Sequence, residues 1–281
     1  MSDPKSPSPE TTQNLKIPGS SSEAFDRIGA RYDDEYTNTD LSRWFRHRVW
    51  DRLEVLFKPG DSVIEFGCGT GEDALWLAKR GIYVLASDGS QAMLAETKRK
   101  AKEAGLSTFI ETRLLDLTDA EGWSLPDRTF DGAFSNYGPL NCVGDWAALG
   151  EQLAHTLRSG SKIGLGVMGP ICPWEIFWHG IHGDFRNATR RFRHSAVAHL
   201  DGKYFRVYYP TPARLQRDLG PKFRRTLLWG LGVFLPPSDL YRGVGKRQWL
   251  ARPLLAMERL TAPYWPFKYL GDHYWLELEM S

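Results

Sequence analysis

Val63-Ile64-Glu65-Phe66-Gly67-Cys68-Gly69-Thr70-Gly71 is the stretch that decides how this chain is read. A short apolar run with an acid near its end passes into three glycines at alternate positions, and a helical pattern follows from about Glu72 to Lys79. Glycines let a backbone turn sharply and approach a ligand with no Cβ in the way. The helix start that follows offers free N–H groups to a polar ligand end. A dinucleotide-binding turn would need glycine at the sixth position, where this chain has Glu72, an acid that would repel a diphosphate. There is no G-x-x-x-x-G-K-[ST] phosphate loop either.

Reading outward, strands and helices alternate. Strand Ser62–Phe66 is followed by strand Tyr83–Ser87, helix Gln91–Ala104, strands Phe109–Leu115 and Phe130–Asn136, and helix Trp146–Leu157. A Ser159-Gly160 turn then leads to strand Lys162–Met168. This rhythm predicts right-handed βαβ units and a doubly wound, mostly parallel α/β sheet. Two helices are expected before it, one from Ser22 through Ala24, Phe25, Ile28 and Tyr32, the other over Leu41–Phe57, stopped by Pro59-Gly60. Past Gly169 the rhythm breaks. A short aromatic helix, an arginine-rich stretch and a strand over Tyr204–Tyr209 precede a helix at Thr211–Leu219, a strand at Phe223–Phe234, a helix at 246–262 and a last strand at Tyr274–Met280. Residues 171–208 and 238–270 are expected to form a lid, because ligands in open α/β sheets bind beyond the C-terminal ends of the strands.

Composition sets the outer bounds. With 281 residues, 42% hydrophobic and 25% charged, the chain suits one large domain with an insertion and not wholesale disorder. Residues 1–22, rich in Ser, Pro and Thr, read as a disordered tail without the apolar core of a secretion signal, leaving 23–281 as the domain. The apolar run Leu227–Pro237 is too short to span a bilayer. Cys68, Cys142 and Cys172 form neither a disulfide framework nor a zinc-ligand pattern, so a reducing, cytoplasmic setting is expected. The net charge of +2 conceals an asymmetry. Residues 1–150 carry 17 Lys and Arg against 24 Asp and Glu (−7), and residues 151–281 carry 19 against 10 (+9). Such a basic half suits an anionic ligand or peripheral membrane contact, and no nucleic-acid partner is expected. Nothing in the sequence specifies an oligomeric state.

The glycine turn resembles the first motif of the class I S-adenosylmethionine-dependent methyltransferases, E-x-G-C-G-T-G. Three further matches lie in register: Asp88 ending the second strand, Asp116 with Leu117 after the third, and Asn136-Tyr137-Gly138-Pro139 ending the fourth. The likeness is nearest the small-molecule branch that includes ubiquinone and menaquinone methyltransferases, whose preceding Tyr-Asp helix is similar to Ala24–Tyr36. The resemblance implies a seven-stranded sheet and S-adenosylmethionine as cofactor. It also implies methyl transfer by in-line displacement to a small acceptor, lipophilic or aromatic. Tyr32, Glu65, Gly67, Cys68, Gly69, Gly71, Asp88, Gly89, Met93, Asp116, Leu117 and Asn136 would form the cofactor site. Within it, Asp88 would take the ribose hydroxyls, Asp116 the adenine amino group, and Tyr32 would lie over the ligand. Tyr32 also reads as a core aromatic and Cys68 as a small packing residue. The chain lacks the N-P-P-Y of the DNA-amino methyltransferases.

In Cys172–His182, Glu175, His179 and His182 fall on one helix flank beside an apolar face of Trp174, Phe177, Trp178 and Ile181. With Tyr137 they are the candidates for a general base, needed only if the acceptor must lose a proton. The plain alternative is an amphipathic helix packing its aromatics inward; H-x-x-H is a weak metal signal, and no metal is assigned. Trp174, Trp178, Trp229, Trp249, Trp265 and Trp275, with Arg186, Arg190, Arg191 and Arg193, suggest a roomy apolar pocket with basic groups. His273 reads as a surface-turn residue. The competing function is a non-catalytic scaffold or membrane-surface protein retaining the fold. A nicotinamide oxidoreductase is disfavoured, since no Tyr-x-x-x-Lys pair accompanies the missing glycine.

Overall fold

The computed structural model describes residues 21–119, 125–126, 128–236 and 248–281. The tail expected over 1–22 lies outside the described residues as far as residue 20, while Ser21 and Ser22 already belong to a helix. That helix, α1 (Ser21–Ile28), is followed by a short π-type turn at Asp33–Thr37 and by α2 (Asp40–Leu56). The alternating core comprises β1 (Ser62–Phe66), α3 (Glu72–Ala78), β2 (Tyr83–Asp88), α4 (Gln91–Glu103), β3 (Ile110–Leu114), β4 (Phe130–Ser135), α5 (Trp146–Thr156) and β5 (Leu157–Met168). Beyond it come α6 (Pro173–Ile181), α7 (Phe185–Ala188), β6 (Ser195–Leu200), β7 (Lys203–Tyr208), α8 (Pro212–Leu219), β8 (Phe223–Leu231), α9 (Gln248–Thr261) and β9 (His273–Met280).

Seven strands form one sheet in the order β3-β2-β1-β4-β5-β9-β8, with β9 antiparallel to both neighbours and the other pairings parallel. The order reverses between β1 and β4, and a crevice opens at that switch point. Alternation along each strand splits the core into two layers. Val63 and Phe134 face Leu41, Phe45, Val49 and Leu53 of α2, which recur every fourth residue and so form one helix stripe. Ile64 and Phe66 face Leu149 and Leu153 of α5 and Leu215 and Leu219 of α8. Side-chain caps start the helices where the sequence supplies Ser, Thr or Asp: Thr39 accepts from the Ser42 N–H, Ser90 from Met93, Asp145 from Ala147 and Ala148, and Thr211 from Arg214. Among the described residues no helix is long and apolar enough to cross a membrane.

Several late boundaries differ from the sequence reading. Strand β5 begins at Leu157, which pairs with Phe130. The expected Ser159-Gly160 turn becomes an irregularity between that pair and Gly132–Lys162. Strand β8 stops at Leu231 because the next three N–H groups, of Gly232, Val233 and Phe234, donate to the buried Glu258 carboxylate and not to a strand. The strand at 203–208 has an unexpected antiparallel partner in β6, whose mixed Ser-Ala-Val-Ala-His-Leu composition carried no strand signal.

Candidate functional site

A cavity of about 940 Å³ lies at the C-terminal ends of β1, β2, β4 and β5. Its floor is the glycine turn. Gly67 has φ +71°, and a Cβ there would meet the Pro139 ring at 2.2 Å. Gly69 has φ +54° with nothing within 4 Å of a Cβ, so its backbone is bare toward open space.

Five carboxylates line this side: Glu65, Glu72, Asp73, Asp88 and Asp116. Asp73 is fully engaged, accepting from Arg46 Nη1 at 2.9 Å, Trp50 Nε1 at 2.7 Å and Asn136 Nδ2 at 2.9 Å. Glu65 is buried and its Oε2 has no hydrogen-bond partner among the described residues. Burial, then the charges of Asp73 and Asp88, hold its carboxyl well above the usual range. Asp88 accepts from the N–H groups of Gly69 at 2.8 Å and Ser90 at 2.9 Å, yet burial still pushes it up to about 6. Asp116 accepts from the Thr118 N–H and hydroxyl and, at 3.4 Å, from Ser22 Oγ.

The N-terminal segment closes one side. Ser21, Ser22, Phe25 and Tyr32 line the cavity, and Asp26 and Asp33 tether the segment by accepting from Ser90 Oγ and Thr70 Oγ1, each at 2.6 Å. Burial drives the Tyr32 phenol up to about 12, so it stays a neutral hydroxyl. The opposite wall is the insertion: Arg186, Asn187, Arg190, Arg193, and the hairpin of β6 and β7.

Eleven of the twelve expected cofactor residues line the cavity: Tyr32, Glu65, Gly67, Cys68, Gly69, Asp88, Gly89, Met93, Asp116, Leu117 and Asn136. Gly71 does not. It has φ +82°, and a Cβ there would lie 2.6 Å from Thr97, so it serves the packing of α3 on α4. Burial raises the Cys68 thiol well above its ordinary range, which suits a packing residue.

The base candidates separate. Tyr137 lines the cavity, but its hydroxyl donates to the Ser42 carbonyl at 2.5 Å and its ring lies under the Arg46 guanidinium. Burial also raises its phenol well above the usual value, which disfavours the phenolate a base would need. Glu175, His179 and His182 lie outside the lining. The reason is the roll of α6, which turns Glu175 inward and its aromatics outward, opposite to expectation. Glu175, 3% exposed, is gripped by Arg190 Nε at 2.5 Å and Arg191 Nε at 2.8 Å. Arg191 also bonds Asp272 at 2.6 Å. His179 faces Asp184 at 3.3 Å, and His182 Nδ1 lies 2.7 Å from the Trp178 carbonyl.

The tryptophan-lined pocket is also corrected. Trp174, Trp178, Trp229, Trp265 and Trp275 are absent from the lining, and Trp249 lies outside the described side chains. Phe25, Tyr32, Met168, Phe205, Val207 and Tyr209 supply the apolar wall instead. Among the described residues of 238–270, none lines the cavity: Leu254 and Leu255 pack against the α2 layer. His273 is no surface residue either. It is packed edge-on to Phe45 and Tyr137 with Nδ1 3.1 Å from Asp272. Sequence reasoning missed Arg46 and Asp73, although Asp73 sits directly after the motif; its partner, 27 residues earlier, left no local signal.

Residues 63–160 match the family model described as a methyltransferase domain. The chain is similar to demethylmenaquinone methyltransferase of Corynebacterium efficiens, 31% identical over 156 residues, covering 53% of this chain and 60% of that one. It is also similar to 2-phytyl-1,4-naphtoquinone methyltransferase of Synechococcus elongatus, 34% identical over 145 residues, covering 49% and 59%. The matched stretch thus spans about 60% of these curated relatives. Among solved structures, the chain resembles the CcbJ methyltransferase of Streptomyces caelestis, with TM-score 0.58, 13% identity and coverage of 92% and 98%. The DhpI–SAH complex aligns with TM-score 0.54, 18% identity and coverage of 92% and 94%. At these identities the structures establish the fold alone, the seven-stranded, mostly parallel sheet with flanking helices.

Proposed function

We propose that this protein transfers the methyl group of S-adenosylmethionine, by in-line displacement, to a small lipophilic or aromatic acceptor. The observation that carries the reading is the unpartnered Glu65 Oε2 in a ring of carboxylates at the switch point. A buried acid without a partner is costly, and a ligand with a cationic group relieves that cost where a phosphate would add to it. The residues present fit such a ligand. Glu65 would face its amino or sulfonium charge, Asp88 would accept from the ribose hydroxyls, Asp116 and Leu117 would hold the adenine, and Tyr32 would cover it.

S-adenosylmethionine supplies, when bound, an electrophilic methyl group on a leaving group that needs no acid. The remaining task of the chain is alignment, which contributes roughly 7–11 kcal/mol in well-oriented reactions. No general base is assigned: among the four candidates, Tyr137 is committed to Ser42, Glu175 to two arginines, and the two histidines lie outside the cavity. The apolar wall of Met168, Phe205, Val207 and Tyr209, together with relatives named for demethylmenaquinone and phytylnaphthoquinone, supports a lipophilic ring as acceptor.

Calorimetric titration of S-adenosylmethionine and S-adenosylhomocysteine tests the cofactor half of the reading. Saturable binding by the folded protein, lost in Asp88→Ala, is expected. A folded wild-type protein that binds neither ligand would overturn it.

A further inference from the structure

The roll of α6 leaves an exposed apolar face that the cavity does not use. Phe177 is 60% exposed, Ile181 61% and Phe185 69%, with Trp178 and Phe192 also exposed. Phe177, Trp178 and Ile181 fall within about 100° of the α6 circumference, centred about 110° round the helix from Glu175. Phe185 opens α7, and Phe192 sits on the adjoining turn at Arg190–Arg193. Isolated surface hydrophobics are ordinary, but five large ones within 16 residues mark a contact surface.

The charges around this face select its partner. Residues 177–194 contain four arginines and a single carboxylate, Asp184. Asp184 is turned back on its own helix, accepting from the Asn187 N–H and Nδ2 and facing His179. Arg190 and Arg191 point inward to Glu175, and Arg186 and Arg193 are exposed next to Phe185 and Phe192 in the chain. Aromatic and aliphatic side chains interleaved with arginine suit the headgroup region of a bilayer with anionic lipids. The same segment walls the cavity, through Arg186, Asn187, Arg190 and Arg193.

We propose that α6, α7 and the turn at 190–193 form a docking face for an anionic lipid surface, seated by Phe177, Ile181 and Phe185 and attracted by Arg186 and Arg193. Docking there places the insertion wall of the cavity against the lipid, where a lipophilic acceptor is concentrated. The face is independent of the methyl-transfer reading and is testable without any acceptor.

The experiment is co-sedimentation of the full chain with phosphatidylcholine vesicles, with and without phosphatidylglycerol. Wild type is expected to partition at least tenfold more strongly onto the anionic vesicles, less so at high salt. Phe177→Ser/Ile181→Ser/Phe185→Ser should lower partitioning at least tenfold while its melting temperature and S-adenosylhomocysteine titration match wild type. Arg193→Glu should lower the preference for anionic over neutral vesicles. Wild type that stays in the supernatant with both vesicles overturns the proposal, as does a triple variant that binds like wild type. A wild-type dimer in analytical ultracentrifugation that the triple variant loses, with no vesicle binding, would assign the face to a second copy and also overturn it.

Discussion

The two walls of the cavity are built by opposite means. The sheet wall, from Glu65 to Asn136, presents carboxylates held by backbone N–H groups and by residues of the same strand ends. Asp88, for instance, accepts from Gly69 and Ser90. The insertion wall presents arginines and is held by a buried ion-pair chain, Arg190–Glu175–Arg191–Asp272, whose last member is 81 residues beyond Arg191. Except for Asp73, which Arg46 and Trp50 clamp from α2, the first wall is held chiefly by hydrogen bonds at the strand ends, and the second depends on charges meeting across the fold. The difference separates ligand recognition from the positioning of the insertion, and substitutions should sort accordingly.

The largest effect should come from the insertion's anchor. Glu175→Ala leaves two arginines without their carboxylate and should cost about 3–5 kcal/mol, read as a lowered denaturation midpoint, with cofactor affinity retained in the protein that stays folded. Equal losses of stability and affinity would mean that the walls are not separable. Asp88→Ala should do the reverse, weakening S-adenosylhomocysteine roughly a hundredfold, the loss of charge-assisted bonds worth about 1.5–3 kcal/mol each, with little change in melting temperature.

A smaller effect follows from acidification. Asp88 is raised to about 6 in the free protein, so at lower pH a ligand that needs the carboxylate must expel a proton. The Asp88 contribution to affinity should then fall toward about tenfold per pH unit below 6 and level off above it. The same shift acts on folding with the opposite trend: because the folded carboxyl holds its proton more tightly than the unfolded one, Asp88 lowers stability as pH rises from about 4 to 6. A calorimetric pH series in wild type and Asp88→Asn separates both from other groups. Smallest of all, His182→Ala should change melting and cofactor binding negligibly, surface changes being within about 0.5 kcal/mol. A large loss of binding in this variant would put the helix flank back into the site.

What was legible followed these same lines. The glycine turn and the alternating strands could be read because each depends on neighbours a few residues away, and Asp88 and Asp116 were read through the family resemblance that the turn carries. The roll of α6 could not. Its apolar and polar faces are both evident in Cys172–His182, but periodicity gives a helix two faces without saying which one is buried. Arg190 and Arg191 decide it, by supplying Glu175 with a buried counter-charge that the aromatic face lacks. The strand β6 was unreadable for a related reason, since Ser195–Leu200 becomes a strand through pairing with Lys203–Tyr208 more than through its own propensity.

The sequence by itself therefore determined the doubly wound sheet and its glycine turn, because period-2 and period-3.6 patterning and glycine's open backbone act over short distances. Only the tertiary structure decided that Glu175 is held by two arginines outside the cavity, that Asp73 is clamped by Arg46, and that Phe177 and Trp178 of α6 face outward. Those outcomes rest on burial and charge pairing between residues far apart in the chain, where the gain from one orientation over the other exists only once the whole fold has closed.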